Sequence, residues 1–140
     1  MCFFNGRAKD LDKECEDVER FIHQQGGIDL AILGLGMNGH IGMNEPGTSA
    51  ALRSHVTALD PITKETAQKY FKEQRQLTNG VTLGLATLME ARYIILLVSG
   101  AHKAGIVKKI LEDEISEQIP GSLLRNHPGL NIYLDAEAAK

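Results

Sequence analysis

The feature that most restricts this chain is a set of short apolar runs, IDLAIL (28–33), YIILLV (93–98) and LNIYL (130–134), set among stretches of helical periodicity. Runs of this length, bounded by glycine and polar turns, fit strands better than buried helices. Continuous apolarity predicts that IDLAIL is covered on both faces, as strands of parallel sheets are, and makes YIILLV the clearest buried strand. Between them, residues 11–25 carry Leu11, Cys15, Val18 and Ile22 at helical spacing, with Asp10 as N-cap and Gly26-Gly27 as the stop. SHVTAL (54–59) reads as a further strand, and Pro61 opens a helix over 62–74. VTLGLATLMEA (81–91) reads as a helix, and so does the segment using Ala104, Val107, Ile110 and Leu111, with IPGS (119–122) breaking the pattern. Strands alternating with helices imply an α/β fold with a mostly parallel sheet flanked by helices.

The 140 residues are the size of one domain. A net charge of −3 without blocks of like charge argues against a nucleic-acid or membrane partner, and Lys108 and Lys109 read as a solvated helix face. Cys2 and Cys15 stand without a CxxC or a histidine at ligand spacing, which suits neither a disulfide nor a zinc site. MCFFNGRAKD lacks the long apolar core of a signal peptide, and no window approaches the length of a membrane span. The expectation is a soluble, cytoplasmic protein.

LGLGMNGHIGMNEPGT (33–48) carries the candidate chemistry. Its Gly34, Gly36 and Gly39 form a GxGxxG directly after a predicted strand, and Asp60 falls about twenty residues on, where a ribose-binding carboxylate would stand. The helix that a dinucleotide turn requires is opposed by Gly42 and Pro46. The other reading is a loop that presents His40 and Glu45, in which a carboxylate orients an imidazole and stabilises its charged form. Gly36, Gly39 and Gly42 would let the backbone fold tightly enough to join them. On spacing alone, a surface histidine and an unrelated glutamate remain the simpler account.

GLGMNGHIGMNEP (34–46) resembles the signature loop of the glucosamine-6-phosphate deaminase and galactosamine-6-phosphate isomerase family, G-x-G-x-[DN]-G-H-x-x-[FM]-N-E-P. The likeness extends to FFNGRAKDLDKECEDVE (3–19), NGVTLGLATLMEARYIILLVSGAHKA (79–104) and NHPGLNIYLDAEA (126–138), and so covers essentially the whole chain. It implies a Rossmann-like three-layer sandwich. It also implies conversion of an amino-sugar 6-phosphate and water to a ketohexose 6-phosphate and ammonia, with no metal or organic cofactor.

By that resemblance His40 opens the sugar ring and Glu45 supports its charge. Asn38, where many members carry Asp, orients the imidazole without adding charge. Lys103, at a helix start after VSGAH, is expected to hold the phosphate, with Gly39 and Lys69 as further substrate contacts. Lys69 stands roughly where deaminases place an Arg, which loses a bidentate grip and leaves gluco- against galacto-configured substrate open. His55 and Thr57 replace basic residues of regulated members, so strong activation is not expected. His127 reads as structural, and His23 and His102 as bystanders.

The resemblance is to the C-terminal portion of the family's domain, so residues 1–140 read as a partial, N-terminally truncated domain. The strand with a Thr/Ser/Gly-rich phosphate turn, and the Asp that removes the C2 proton, are not found. Two alternatives to an active enzyme follow: a truncated, non-catalytic sugar-phosphate-binding or assembly domain, whose open sheet edge would favour homo-oligomers or aggregation, or a missing half supplied by another chain.

Overall fold

A computed structural model of the chain describes residues 1–59 and 78–140. Asp60, Pro61, Lys69 and the helix expected over 62–74 lie outside the described residues. The chain opens with helix α1 (Leu11–Gln24), whose first turn is capped by Asp10 accepting from the Lys13 amide at 2.9 Å. Cys15 and Val18 form its buried stripe, packed toward strands β2 (His55–Ala58) and β3 (Asn79–Thr82). Strand β1 (Leu30–Gly34) follows, and helix α2 (Leu85–Met89) leads to strand β4 (Tyr93–Val98). A 3-10 turn (Ala101–Lys103) enters helix α3 (Ala104–Glu112), and the short helix α4 (Pro120–Leu123) precedes strand β5 (Leu130–Leu134).

The sheet is parallel, in the order β1-β4-β5, with Ile32 beside Ile95 and Leu96 beside Ile132. The expected helix over 81–91 is corrected: its first residues belong to β3, paired antiparallel with β2 through Val56↔Val81 and His55↔Thr82. The β-branched pair Val81-Thr82 suits a strand, and only the part after Gly84 is helical. IPGS also differs from expectation, because Pro120 occupies the first turn of α4, where its missing N–H is no loss.

Ile94, Leu96 and Val98 join Ile106, Val107 and Ile110 of α3 and Leu124 in one buried cluster, each contributing about 1.5–3 kcal/mol of transfer free energy. The opposite side of the sheet departs from the expected double burial. Leu30 and Ile32 of β1, Tyr93 and Leu97 of β4, and Tyr133 of β5 are all exposed, because the described helices build the core on one face. A polar tie completes the frame. Glu19 of α1 accepts from the Ser54 amide and hydroxyl and from the Thr87 hydroxyl. Burial alone would raise its pKa, but these bonds and that from Arg53 together hold it below its ordinary value.

Candidate active site

After Gly34 the chain does not enter a helix. It runs through turns and a single bridge between Ile41 and Asn44, which removes the helix N-terminus that a dinucleotide turn would need. Two glycines explain the path. A Cβ on Gly36 would lie 2.3 Å from His40 Cε1 and Nε2, so the bare backbone lets the imidazole lie against it. Gly39 has φ +88°, and a Cβ there would meet Ile119 at 2.8 Å. The Gly39 amide donates to Gly36 and its carbonyl accepts from Gly121 at 2.8 Å, so both backbone groups serve the loop.

The loop brings His40, Asn38 and Glu45 together. Asn38 Oδ1 accepts from the His40 amide at 3.1 Å and lies 2.8 Å from His40 Nδ1, while its Nδ2 donates to Glu45 Oε2 at 2.8 Å. Glu45 Oε2 is itself 3.4 Å from His40 Nδ1. An amide whose NH2 points at a carboxylate turns its oxygen to the ring, so the neutral imidazole carries its proton on Nδ1 and its lone pair on Nε2. Both side chains are largely shielded, at 24% exposure for His40 and 13% for Glu45, where charge interactions are stronger than in bulk water.

Side chains outside this trio hold the loop in place. Asn44, fully buried, donates to the carbonyls of Ile41 at 2.8 Å and Leu83 at 2.9 Å. The Met43 amide donates to Thr82 Oγ1, and Glu117 accepts from the Ala50 amide through its carboxylate and from the Gly47 amide through its backbone carbonyl. Glu45 is thus preceded by a residue tied to the end of β3. Sequence reasoning did not single out Asn44 or Thr82. Asn44 stands inside the quoted motif, but Leu83 lies 39 residues away and no local signal pairs them.

Lys103 approaches from the neighbouring strand. β4 ends beside β1, Gly100 turns at φ +94°, and the 3-10 turn sends Lys103 Nζ back to the Leu35 carbonyl at 2.6 Å. The ammonium therefore sits at the mouth of the same loop, and burial lowers its pKa. His102 packs over Gly100 instead, where the Gly100 amide donates to Asp135. His127 is buried, donating through Nε2 to the Ala91 carbonyl and accepting at Nδ1 from the Gly129 amide, a structural use of both nitrogens. Cys2 and Cys15 are free thiols, and among the described residues no three His, Cys, Asp or Glu side chains form a metal-holding group. No described helix is long and apolar enough to cross a membrane.

Comparison with known proteins adds to this geometry. The sequence model described as glucosamine-6-phosphate isomerases/6-phosphogluconolactonase matches residues 3–132. The glucosamine-6-phosphate deaminase of Geobacillus sp. (strain WCH70) is 41% identical over 135 residues, covering 96% of this chain and 54% of that one. Glucosamine-6-phosphate deaminase 1 of Bacillus subtilis (strain 168) is also 41% identical, over 136 residues, 96% of this chain and 56% of its own. The chain spans about half the length of the curated relatives it matches. A solved monomeric glucosamine-6-phosphate deaminase superposes with a TM-score of 0.92 at 41% identity, over 97% of this chain and 57% of that chain. The 6-phosphogluconolactonase from Trypanosoma cruzi, at 24% identity and a TM-score of 0.70 over 91% of this chain and 50% of that one, shares the fold.

Proposed function

Because the chain belongs to the family of glucosamine-6-phosphate isomerases and 6-phosphogluconolactonases, we propose that its loop is the ring-opening half of an amino-sugar-6-phosphate deaminase site. The observation that carries this reading is the Glu45–Asn38–His40 chain of hydrogen bonds, which leaves the lone pair on Nε2. In this reading Nε2 accepts the proton of the anomeric hydroxyl, and the C1–O5 bond breaks as O5 takes a proton. Glu45 stabilises the imidazolium formed in between, and Asn38 keeps Nδ1 aimed at it. One residue thereby accepts and returns a proton near neutral pH.

Lys103 is assigned the phosphate, with Lys69 as a second cation and Gly39 shaping the floor. A phosphate there would restore the charge balance that burial denies the ammonium. The full reaction continues with transfer of the C2 proton to C1, and hydrolysis of the resulting imine releases ammonia. That step needs a base from the part of the fold that the relatives carry beyond this match. A cytoplasmic place in amino-sugar catabolism belongs to the same proposal. The half-length match also favours a second reading, a domain that binds the sugar phosphate without turning it over.

The test is a titration with glucosamine 6-phosphate and galactosamine 6-phosphate, followed through the His40 ring signals by NMR. Saturable shifts of His40 that disappear in Lys103→Ala are expected. Shifts of equal size with inorganic phosphate alone, or with 6-phosphogluconate, would sink the assignment to an amino sugar.

A further inference from the structure

Asp135 directly follows β5, and its amide donates to the Val98 carbonyl at the end of β4 at 3.3 Å. Its carboxylate is divided between two backbone donors. Oδ1 accepts from the Ala138 amide at 2.7 Å, and Oδ2 reaches across to the Gly100 amide at 2.9 Å. The Ala138 and Gly100 amides hold this carboxyl below its ordinary range.

Gly100 is the residue on which the turn after β4 depends. It has φ +94°, and a Cβ there would meet the His102 ring at 2.7 Å, so the position is closed to side chains. Its carbonyl accepts from the Lys103 amide at 2.9 Å, which closes the 3-10 turn. From that turn Lys103 Nζ reaches the Leu35 carbonyl at 2.6 Å, next to the Gly36 against which the His40 ring lies. Neither the 3-10 turn nor α3 has a side-chain cap of its own. Asp135 therefore supplies, from the neighbouring strand, the fixed acceptor that a local cap would give. A line of contacts runs from Asp135 through Gly100 and Lys103 to Leu35, across the C-terminal ends of β5, β4 and β1. The stem of a lysine is flexible, so where its ammonium points depends on how its backbone is held.

We infer that Asp135 is a positioning residue, which by holding Gly100 sets the turn from which Lys103 addresses the His40 loop. Its consequence for ligands rests on the phosphate role proposed for Lys103, whereas the aim of the ammonium is read without any ligand.

The experiment compares the wild-type chain with Asp135→Asn and with Gly100→Ala, which leaves every charge in place. Circular dichroism and the ring signals of His127, buried at the other end of β4 and β5, report that each variant is folded. The first readout is the alkaline titration of Lys103, followed through its side-chain NMR signals. Loss of a carboxylate charge by itself would lower the lysine pKa further, whereas release of the ammonium into solvent raises it. A rise in both variants is expected, with faster hydrogen exchange at the Gly100 and Lys103 amides. The second readout is the affinity for inorganic phosphate and glucosamine 6-phosphate, which should weaken about 3- to 10-fold, the range of one lost hydrogen bond. A Lys103 titration that stays in place or falls in folded Asp135→Asn would overturn the inference and reduce Asp135 to a cap of the chain after β5. If Asp135→Asn does not fold, the same sign in Gly100→Ala decides. A wild-type chain that binds neither ligand would sink the phosphate reading, and the titration would still decide the role of Asp135.

Discussion

On one side of the parallel sheet Ile94, Leu96 and Val98 are buried with the residues of α3, while on the other their sequence neighbours Tyr93 and Leu97 stand exposed. The chemistry of the two rows is alike, and what differs is whether the described helices cover them. Apolarity on both faces of a strand thus states how many layers a fold calls for, and the burial of each row states which of them the described residues supply. The site follows the same division. The Glu45–Asn38–His40 loop is tied to β3 and α4 by hydrogen bonds within the chain, whereas the C2 base of the proposed reaction is assigned to the part of the fold that the relatives carry beyond this match.

The sharpest way to break this comparison is to truncate one residue from each row. Ile94→Ala should cost about 2–5 kcal/mol in urea denaturation, the range for emptying a packed core position. Leu97→Ala should stay within about 0.5 kcal/mol for the chain alone. Equal costs would mean that the outer face is already covered in solution.

Asn44→Ala comes next, at about 0.5–1.5 kcal/mol, because it removes the side-chain donor to the carbonyls of Ile41 and Leu83, which keep the Asn44 amide and the Thr82 hydroxyl respectively. It should also shift the His40 ring signals, since it loosens the residue preceding Glu45. A stability loss with those signals unmoved would reduce Asn44 to packing.

Glu19 gives a pH-dependent effect of smaller size. Its pKa is lowered in the folded chain, so its stabilisation is present above the unfolded carboxylate value and fades as pH falls through the folded one. Glu19→Gln should flatten that acid-side decline in denaturation midpoints. An unchanged slope would show that the tie between α1, Ser54 and Thr87 does not act through charge.

The smallest effect concerns Lys103. Its lowered pKa means that sugar-phosphate affinity should weaken as pH rises through a value below that of a solvated lysine. Titrations across alkaline pH check this, and an affinity that stays flat until solvated lysines titrate would contradict it.

Much of this was readable beforehand. YIILLV and LNIYL coincide with β4 and β5 because continuous apolar runs between turns have few other uses, and Asp10 caps α1 as its position suggests. Residues 81–91 were misjudged because the helical period of their second half overshadowed Val81 and Thr82, whose strand partners lie near residue 55. In the site, spacing alone left His40 and Glu45 unrelated, and only the family resemblance of their motif grouped them with Asn38, as the hydrogen bonds among the three now do. Asn44 and Thr82 were not legible, because their bonds to Leu83 and to the Met43 amide each span 39 residues, and the reach of Lys103 to Leu35 spans 68.

The most direct measurement is the rate at which the purified chain interconverts the α and β anomers of glucosamine 6-phosphate, read by NMR exchange spectroscopy alongside ammonia release. Ring opening by the His40 loop without the C2 base predicts faster anomer exchange, lost in His40→Ala, with no ammonia formed. Exchange no faster than in buffer would contradict the assignment of His40, and ammonia released by the chain alone would contradict the division of the site into halves.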